Sequence, residues 1–161
     1  MDKVQLGDPA PDFTWTTPAG EQVRRSDFQR KKVLVLFFYP KDGSPVCTKE
    51  ACAFRDAYDL FTEAGAEVIG ISGDSAESHS NFAARHDLPF DLVSDTDQSL
   101  RKAFGVSKTL GLLPGRVTYV IDKEGIVRLV FSSPMAVDRH VSDALQVVQE
   151  LVQEDTYTAE G

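Results

Sequence analysis

An unbroken β-branched and aromatic run, Val33-Leu34-Val35-Leu36-Phe37-Phe38-Tyr39, constrains this chain more than any other feature. A strand that is apolar on both faces must be covered on both, so the run reads as the central strand of a sheet between helices. Pro40 ends it. Ser44 and Pro45 then form a helix start, a serine able to cap followed by proline where no amide donor is missed. Phe54, Tyr58 and Phe61 recur at helical spacing, and Gly65 supplies the stop.

The remaining pattern alternates in the same way. Residues 67–73 read as a strand, Asp74 and Ser75 cap a helix running to about Asp87, and Phe90 to Val93 form a further strand. A short helix from Thr96 to Phe104 is closed by Gly105. Residues 116–122 and 126–132 make a hairpin through Lys123, Glu124 and Gly125, and a helix follows from about Asp138 to Gln153. Near the start, Phe13–Thr16 and Glu21–Val23 flank Thr17-Pro18-Ala19-Gly20, a hairpin turn. This order predicts an α/β fold with a mixed central sheet, flanking helices and an N-terminal β-hairpin, and it resembles the thioredoxin fold. The expected domain covers residues 1–153, with 154–161 as a polar C-terminal tail.

Composition narrows the function. With 25 acidic residues against 17 Lys+Arg among 161, the net charge of -8 opposes a nucleic-acid partner. The local exception, Arg24, Arg25, Arg30, Lys31 and Lys32, reads as a solvated basic shoulder before the apolar run. No run approaches the ~18 apolar residues of a membrane span, and the first residues lack the apolar core of a signal peptide. The expectation is a cytoplasmic protein; an organelle protein stripped of its transit peptide would look the same. His79, His86 and His140 show no zinc-ligand spacing and read as helix-surface residues, so neither metal nor cofactor is expected.

The chemistry concentrates in Pro40-Lys41-Asp42-Gly43-Ser44-Pro45-Val46-Cys47-Thr48-Lys49-Glu50-Ala51-Cys52. With Ser44 as the N-cap, Cys47 is the third helical residue, beside unpaired amide donors and the positive end of the helix dipole. That position favours thiolate, the nucleophilic form. Cys52 lies more than a turn deeper, so Cys47 reads as the attacker and Cys52 as a second-step partner. On spacing alone, two small core thiols in a reducing compartment remain the alternative. Thr48, Lys49 and Glu50 read as first-turn surface residues.

The wider string resembles the active site of the peroxiredoxins, within them the bacterioferritin-comigratory-protein or Q-type subfamily. The residues that carry the likeness are Phe38-Tyr39-Pro40-Lys41-Asp42, Ser44-Pro45, Cys47-Thr48, Glu50-Ala51-Cys52 and Phe54-Arg55. The opening Gly7-Asp8-Pro9-Ala10-Pro11-Asp12-Phe13 adds to it, and the similarity runs over about residues 4–153. Pro40, Ser44 and Cys47 hold the family's proline, threonine and peroxidatic cysteine positions, and Cys52 matches a subfamily resolving cysteine. A family arginine falls on Arg116, ahead of Val117-Thr118-Tyr119-Val120-Ile121-Asp122. Two positions depart from the pattern, Ser44 for threonine and Val46 for glycine, and neither removes a reacting group.

The resemblance implies a thiol peroxidase. Cys47 would reduce hydrogen peroxide or an organic hydroperoxide and become a sulfenic acid. Arg116, Ser44 and the helix-start amides would bind the peroxide oxygens, with Pro40 shielding the sulfur. A Cys47–Cys52 disulfide would follow, recycled by thioredoxin or a similar dithiol. Resolution within one helix requires no partner subunit, so a monomer suffices. Read without the family, Arg116 is a strand residue pairing with a carboxylate, Ser44 a helix cap and Pro40 a strand terminator. Two other functions compete: a thioredoxin-like thiol–disulfide reductase, whose cysteines usually have two residues between them where four stand here, and a non-enzymatic binding or chaperone module.

Overall fold

The computed structural model describes residues 3–106 and 115–160. Its strands are β1 (Thr14–Thr16), β2 (Gln22–Arg24), β3 (Val33–Phe38), β4 (Ala66–Ser72), β5 (Asp91–Ser94), β6 (Val117–Ile121) and β7 (Val127–Ser132). Its helices are α1 (Pro45–Glu63), α2 (Ala76–His86), α3 (Ser99–Phe104) and α4 (Val137–Glu160). β1 and β2 pair as the expected N-terminal hairpin, and the main sheet runs β5-β4-β3-β6-β7. β3 is central, parallel to β4 and antiparallel to β6, which makes the sheet mixed.

Alternation along β3 sorts the core into two layers. Leu34, Leu36 and Phe38 face a cluster with Phe13, Trp15, Phe104 and Tyr119. Val33, Val35, Phe37 and Tyr39 face the other way, against Cys47, Phe54 and Phe61 of α1 and Ala144, Val148 and Leu151 of α4. Every residue of β3 is buried, as a strand covered on both faces requires. Phe37 stacks on Phe54 with ring centroids 4.5 Å apart, tying the central strand to the helix that begins at Pro45.

Three expectations change. The last helix runs past its expected end near Gln153: α4 continues to Glu160, because no proline or glycine interrupts it and Arg128 holds Glu154 at 2.7 Å. Gly161 lies outside the described residues. The short helix starts at Ser99 rather than Thr96, with the Asp95 carboxylate accepting the amides of Leu100 and Arg101. Arg25 leaves the basic shoulder: it is buried within a 3-10 turn and donates to Pro11 O at 3.0 Å.

Candidate active site

The geometry is built at the C-terminal end of β3, where the chain turns through residues 39–44 into α1. Ser44 occupies the N-cap position, Pro45 is the first helical residue, and Cys47 is the third. The first turn of α1 therefore carries the sulfur, in the positive end of the helix dipole. Cys47 is 1 % exposed and packed in the layer with Phe37, Tyr39 and Phe54.

The antiparallel pairing of Phe38 with Val117 brings Arg116, just ahead of β6, beside this helix start. Arg116 Nη2 donates to Cys47 Sγ at 3.1 Å, Nη1 to Glu50 Oε1 at 2.6 Å, and Nε to Pro134 O at 3.0 Å. Each of the three nitrogens has one partner, which fixes the plane of the fork and leaves a second N–H on each of Nη1 and Nη2. Burial works against the Arg116 charge, but Glu50 and Cys47 outweigh it and hold the guanidinium above its ordinary pKa. A second cation lies close by: Arg101 donates to Tyr39 O at 2.7 Å and Gly115 O at 3.0 Å, and stands over the Phe38 ring.

Glu50 is not a surface residue. It is fully buried on the same helix face as Cys47, three residues on, where the stripe through Ala51 and Phe54 enters the core. Burial pushes its carboxyl up to about 7 even though Arg116 pulls the other way. Among the described residues its second oxygen, Oε2, has no hydrogen-bond partner. His140 Nδ1 stands 3.7 Å from that oxygen.

Two histidines are likewise inside rather than on helix surfaces. His140 is fully buried, with Nε2 facing Ser133 O at 2.8 Å and Nδ1 facing Thr118 Oγ1 at 2.7 Å. A carbonyl only accepts, so Nε2 carries the proton and Nδ1 accepts from the threonine. Burial holds His140 below its ordinary pKa, which fits this neutral ring. His79 is 4 % exposed and contacts Asp42 and Val93 O. His86 alone is partly exposed, with its ring against Phe82.

Ser44 sits at the N-cap, but its hydroxyl caps nothing: it donates to Lys41 O at 3.2 Å. The first backbone bond of α1 runs from the Thr48 amide to Ser44 O at 2.8 Å. Pro40 is partly exposed in the turn leaving β3. Cys52 is partly buried on the continuous α1, and both thiols are free. The tertiary structure thus joins Cys47, Arg116 and Glu50 directly. Pro40 and Ser44 lie in the adjoining loop, and Cys52 lies deeper in the helix.

A buried cysteine in the first turn of a helix, held by a fixed guanidinium at the end of the central strand of a mixed sheet, has the features of a reactive thiolate. The comparisons supply the class. Residues 6–130 match the AhpC/TSA family. The chain is 49 % identical over 150 residues to the chloroplastic peroxiredoxin Q of Sedum lineare, covering 92 % of this chain and 80 % of the relative. It is 36 % identical to the peroxidoxin BcpB of Mycobacterium tuberculosis, with a TM-score of 0.83 over 92 % of this chain and 98 % of that one. The Xanthomonas campestris bacterioferritin comigratory protein, solved as trapped intermediate and ligand complexes bearing on its alkyl peroxide reduction activity, gives 32 % identity. Its TM-score is 0.78, over 87 % of this chain and 92 % of that chain. The chain belongs to the peroxiredoxins of the AhpC/TSA family, on the Q-type, bacterioferritin-comigratory-protein branch, and is a thiol peroxidase with a thioredoxin-like fold.

Proposed function

We propose that Cys47 is the peroxidatic cysteine and Cys52 the resolving cysteine of this peroxidase. The observation that carries the reading is the Arg116 nitrogen 3.1 Å from Cys47 Sγ, a fixed positive donor on the one sulfur that lies in a helix start. The Cys47 thiolate attacks the terminal oxygen of a hydroperoxide. The S–O bond forms as the O–O bond breaks, giving Cys47 sulfenic acid and an alkoxide or hydroxide that takes a proton to leave as alcohol or water. Arg116 stabilises the charge developing on the oxygens, and the Ser44 hydroxyl and helix-start amides bind the peroxide. Pro40 keeps bulk water from the sulfur.

Cys52 then attacks the sulfenic sulfur, expelling water and forming the Cys47–Cys52 disulfide. An external dithiol, thioredoxin or a similar protein, reduces that disulfide by exchange and is itself oxidised. The near-complete burial of Cys47 favours a small hydroperoxide over a protein disulfide as first substrate, which argues against the reductase alternative. Hydrogen peroxide and alkyl hydroperoxides both fit this chemistry. Resolution within one helix needs no second subunit, so the unit of function is a monomer. The cycle requires a reducing compartment, the cytoplasm or the organelle that the chloroplastic relatives' names indicate, and its role there is antioxidant defence.

Single-turnover kinetics with mass spectrometry test the assignment. Cys47→Ser is expected to abolish peroxide consumption. Cys52→Ser is expected to consume about one equivalent, one sulfur being oxidised once, and to stall as Cys47 sulfenic or over-oxidised acid. Sustained thioredoxin-dependent turnover by Cys52→Ser at the wild-type rate would overturn the role of Cys52.

A further inference from the structure

The loop between β3 and α1 carries a polar network that the reaction described above does not use. Asp42 lies two residues after Pro40 and two before Ser44, with its side chain 5 % exposed. One carboxylate oxygen accepts from the Tyr39 hydroxyl at 2.5 Å. The other accepts from Ser78 Oγ at 2.8 Å and faces His79 Nδ1 at 2.7 Å, both on α2. The Asp42 amide donates to Asp74 Oδ2 at 2.7 Å, and the same oxygen takes the Ser72 hydroxyl at 2.7 Å. The carboxylate and amide of Asp42 are thereby tied to Tyr39 just after β3, to Asp74 between β4 and α2, and to Ser78 and His79 on α2.

The protons can be placed by what each partner can do. His79 Nε2 faces Val93 O at 3.1 Å, and a carbonyl only accepts, so that nitrogen carries a proton. Nδ1 faces a carboxylate, so it also donates. Burial pushes the Asp42 carboxyl up, but the donors from His79, Tyr39 and Ser78 outweigh it and hold the carboxyl below its ordinary range. The pair is a buried, charge-assisted hydrogen bond between loop and helix. Metal-type ligand atoms of Asp42, Asp74 and His79 all lie within 4.8 Å of one another. Each already has protein partners, and the Nδ1 proton points at Asp42, so the cluster serves hydrogen bonding rather than a cation.

A buried ion pair of this kind is weak evidence for stability, since well-packed apolar groups do as well or better; its use is to select one conformation. The conformation selected here is that of residues 40–44. Ser44 Oγ donates to Lys41 O, the carbonyl adjoining the clamped residue, so the orientation of that hydroxyl follows from where Asp42 is held. Gly43, at φ +79°, is the only link between Asp42 and the N-cap of α1, and it turns the chain in a way a side chain would resist.

We propose that Asp42 and His79 are positioning residues for the peroxide step. Their hydrogen bond clamps the loop to α2 so that Pro40 and the Ser44 hydroxyl are held over Cys47 in the arrangement that the O–O bond requires. The clamp rests on the peroxidase reading of Cys47. It acts through loop geometry and not through the sulfur, which gives it a distinguishing signature. Alkylation of Cys47 by iodoacetamide needs a reactive, accessible thiolate but no aligned peroxide; reduction of hydrogen peroxide needs both.

The experiment measures both second-order rate constants on the reduced protein for wild type, His79→Gln, His79→Asn and Ser78→Ala. An asparagine amide reproduces the position of Nδ1, whereas a glutamine amide reaches toward Val93 and abandons Asp42. His79→Gln is expected to lower the peroxide rate roughly tenfold or more, the scale of a displaced positioning group, while alkylation changes less than about threefold. His79→Asn should keep most of the peroxide rate. Ser78→Ala, which removes one donor from the same oxygen and leaves the ring in place, should move the ratio in the same direction by less. Equal loss in both reactions, or no difference between the glutamine and asparagine variants, overturns the clamp. A wild type that reduces peroxide no faster than free cysteine overturns the peroxidase reading, and the clamp with it.

Discussion

Arg116 and Cys47 stand 69 positions apart in the chain, yet a guanidinium nitrogen of one lies 3.1 Å from the sulfur of the other. The contact exists because β3 and β6 pair antiparallel with Phe38 opposite Val117, which sets the residue before β6 beside the helix that follows β3. Glu50 and the Pro134 carbonyl hold the other two nitrogens and keep the fork from turning away.

Arg116→Ala removes an oriented donor from a developing anion. The second-order rate constant for hydrogen peroxide, followed by stopped-flow fluorescence, is expected to fall by ~10²–10³. An unchanged rate would reduce Arg116 to a structural partner of Glu50.

Glu50 makes stability depend on pH in a definite direction. Its carboxyl lies at about 7 in the fold against 4.5 for the free side chain, mainly through burial. The folded pKa is the higher one, so its contribution to stability is fully present below the unfolded value and is lost as pH rises through about 7. Between pH 5 and 8, roughly, the wild type should therefore lose stability relative to Glu50→Gln by on the order of 2–3 kcal/mol. Urea denaturation of the reduced proteins across that range reads the difference, and parallel pH profiles would show that Glu50 does not titrate there.

Cys47 and Cys52 share a continuous helix. Residues five apart in a helix have Cα atoms ~8.7 Å from each other, and a disulfide tolerates no more than roughly 7 Å. Oxidation is thus expected to unwind the first turns of α1, while Phe54 and Phe61 stay anchored against the sheet. Amide hydrogen exchange over residues 45–56 should rise on oxidation. Equal protection in both redox states, with the Cys47–Cys52 bond verified by mass, would refute the unwinding.

Gly70 lies opposite Phe37 in the β3–β4 pairing, and a Cβ there would come within 2.7 Å of Phe37 Cζ and 2.8 Å of Leu92 Cδ2. Gly70→Ala must push Phe37 against Phe54, on which it stacks. A loss of ~1–3 kcal/mol is expected, seen as a lower urea midpoint with an unchanged slope. No shift in midpoint would mean that the layer can yield without cost.

Local chemistry determined much of this protein before any contact was known. The Val33–Tyr39 run required a strand covered on both faces, Ser44-Pro45 required a helix start, and that start placed Cys47 and not Cys52 in the first turn. Those inferences succeed because they depend on neighbours within a few residues. Glu50 and His79 looked like surface groups, although each lies on a buried stripe: Glu50 three after Cys47 and four before Phe54, His79 three before Phe82. Helical spacing alone could have marked both as inward-facing, but a charged or titratable side chain goes inside only when a partner waits there. Those partners, Arg116 for Glu50 and Asp42 for His79, arrive from elements 66 and 37 residues away. Only the pairing of strands and the packing of helices on them fix such meetings, and a burial that is costly for one residue alone becomes acceptable once the fold supplies the second.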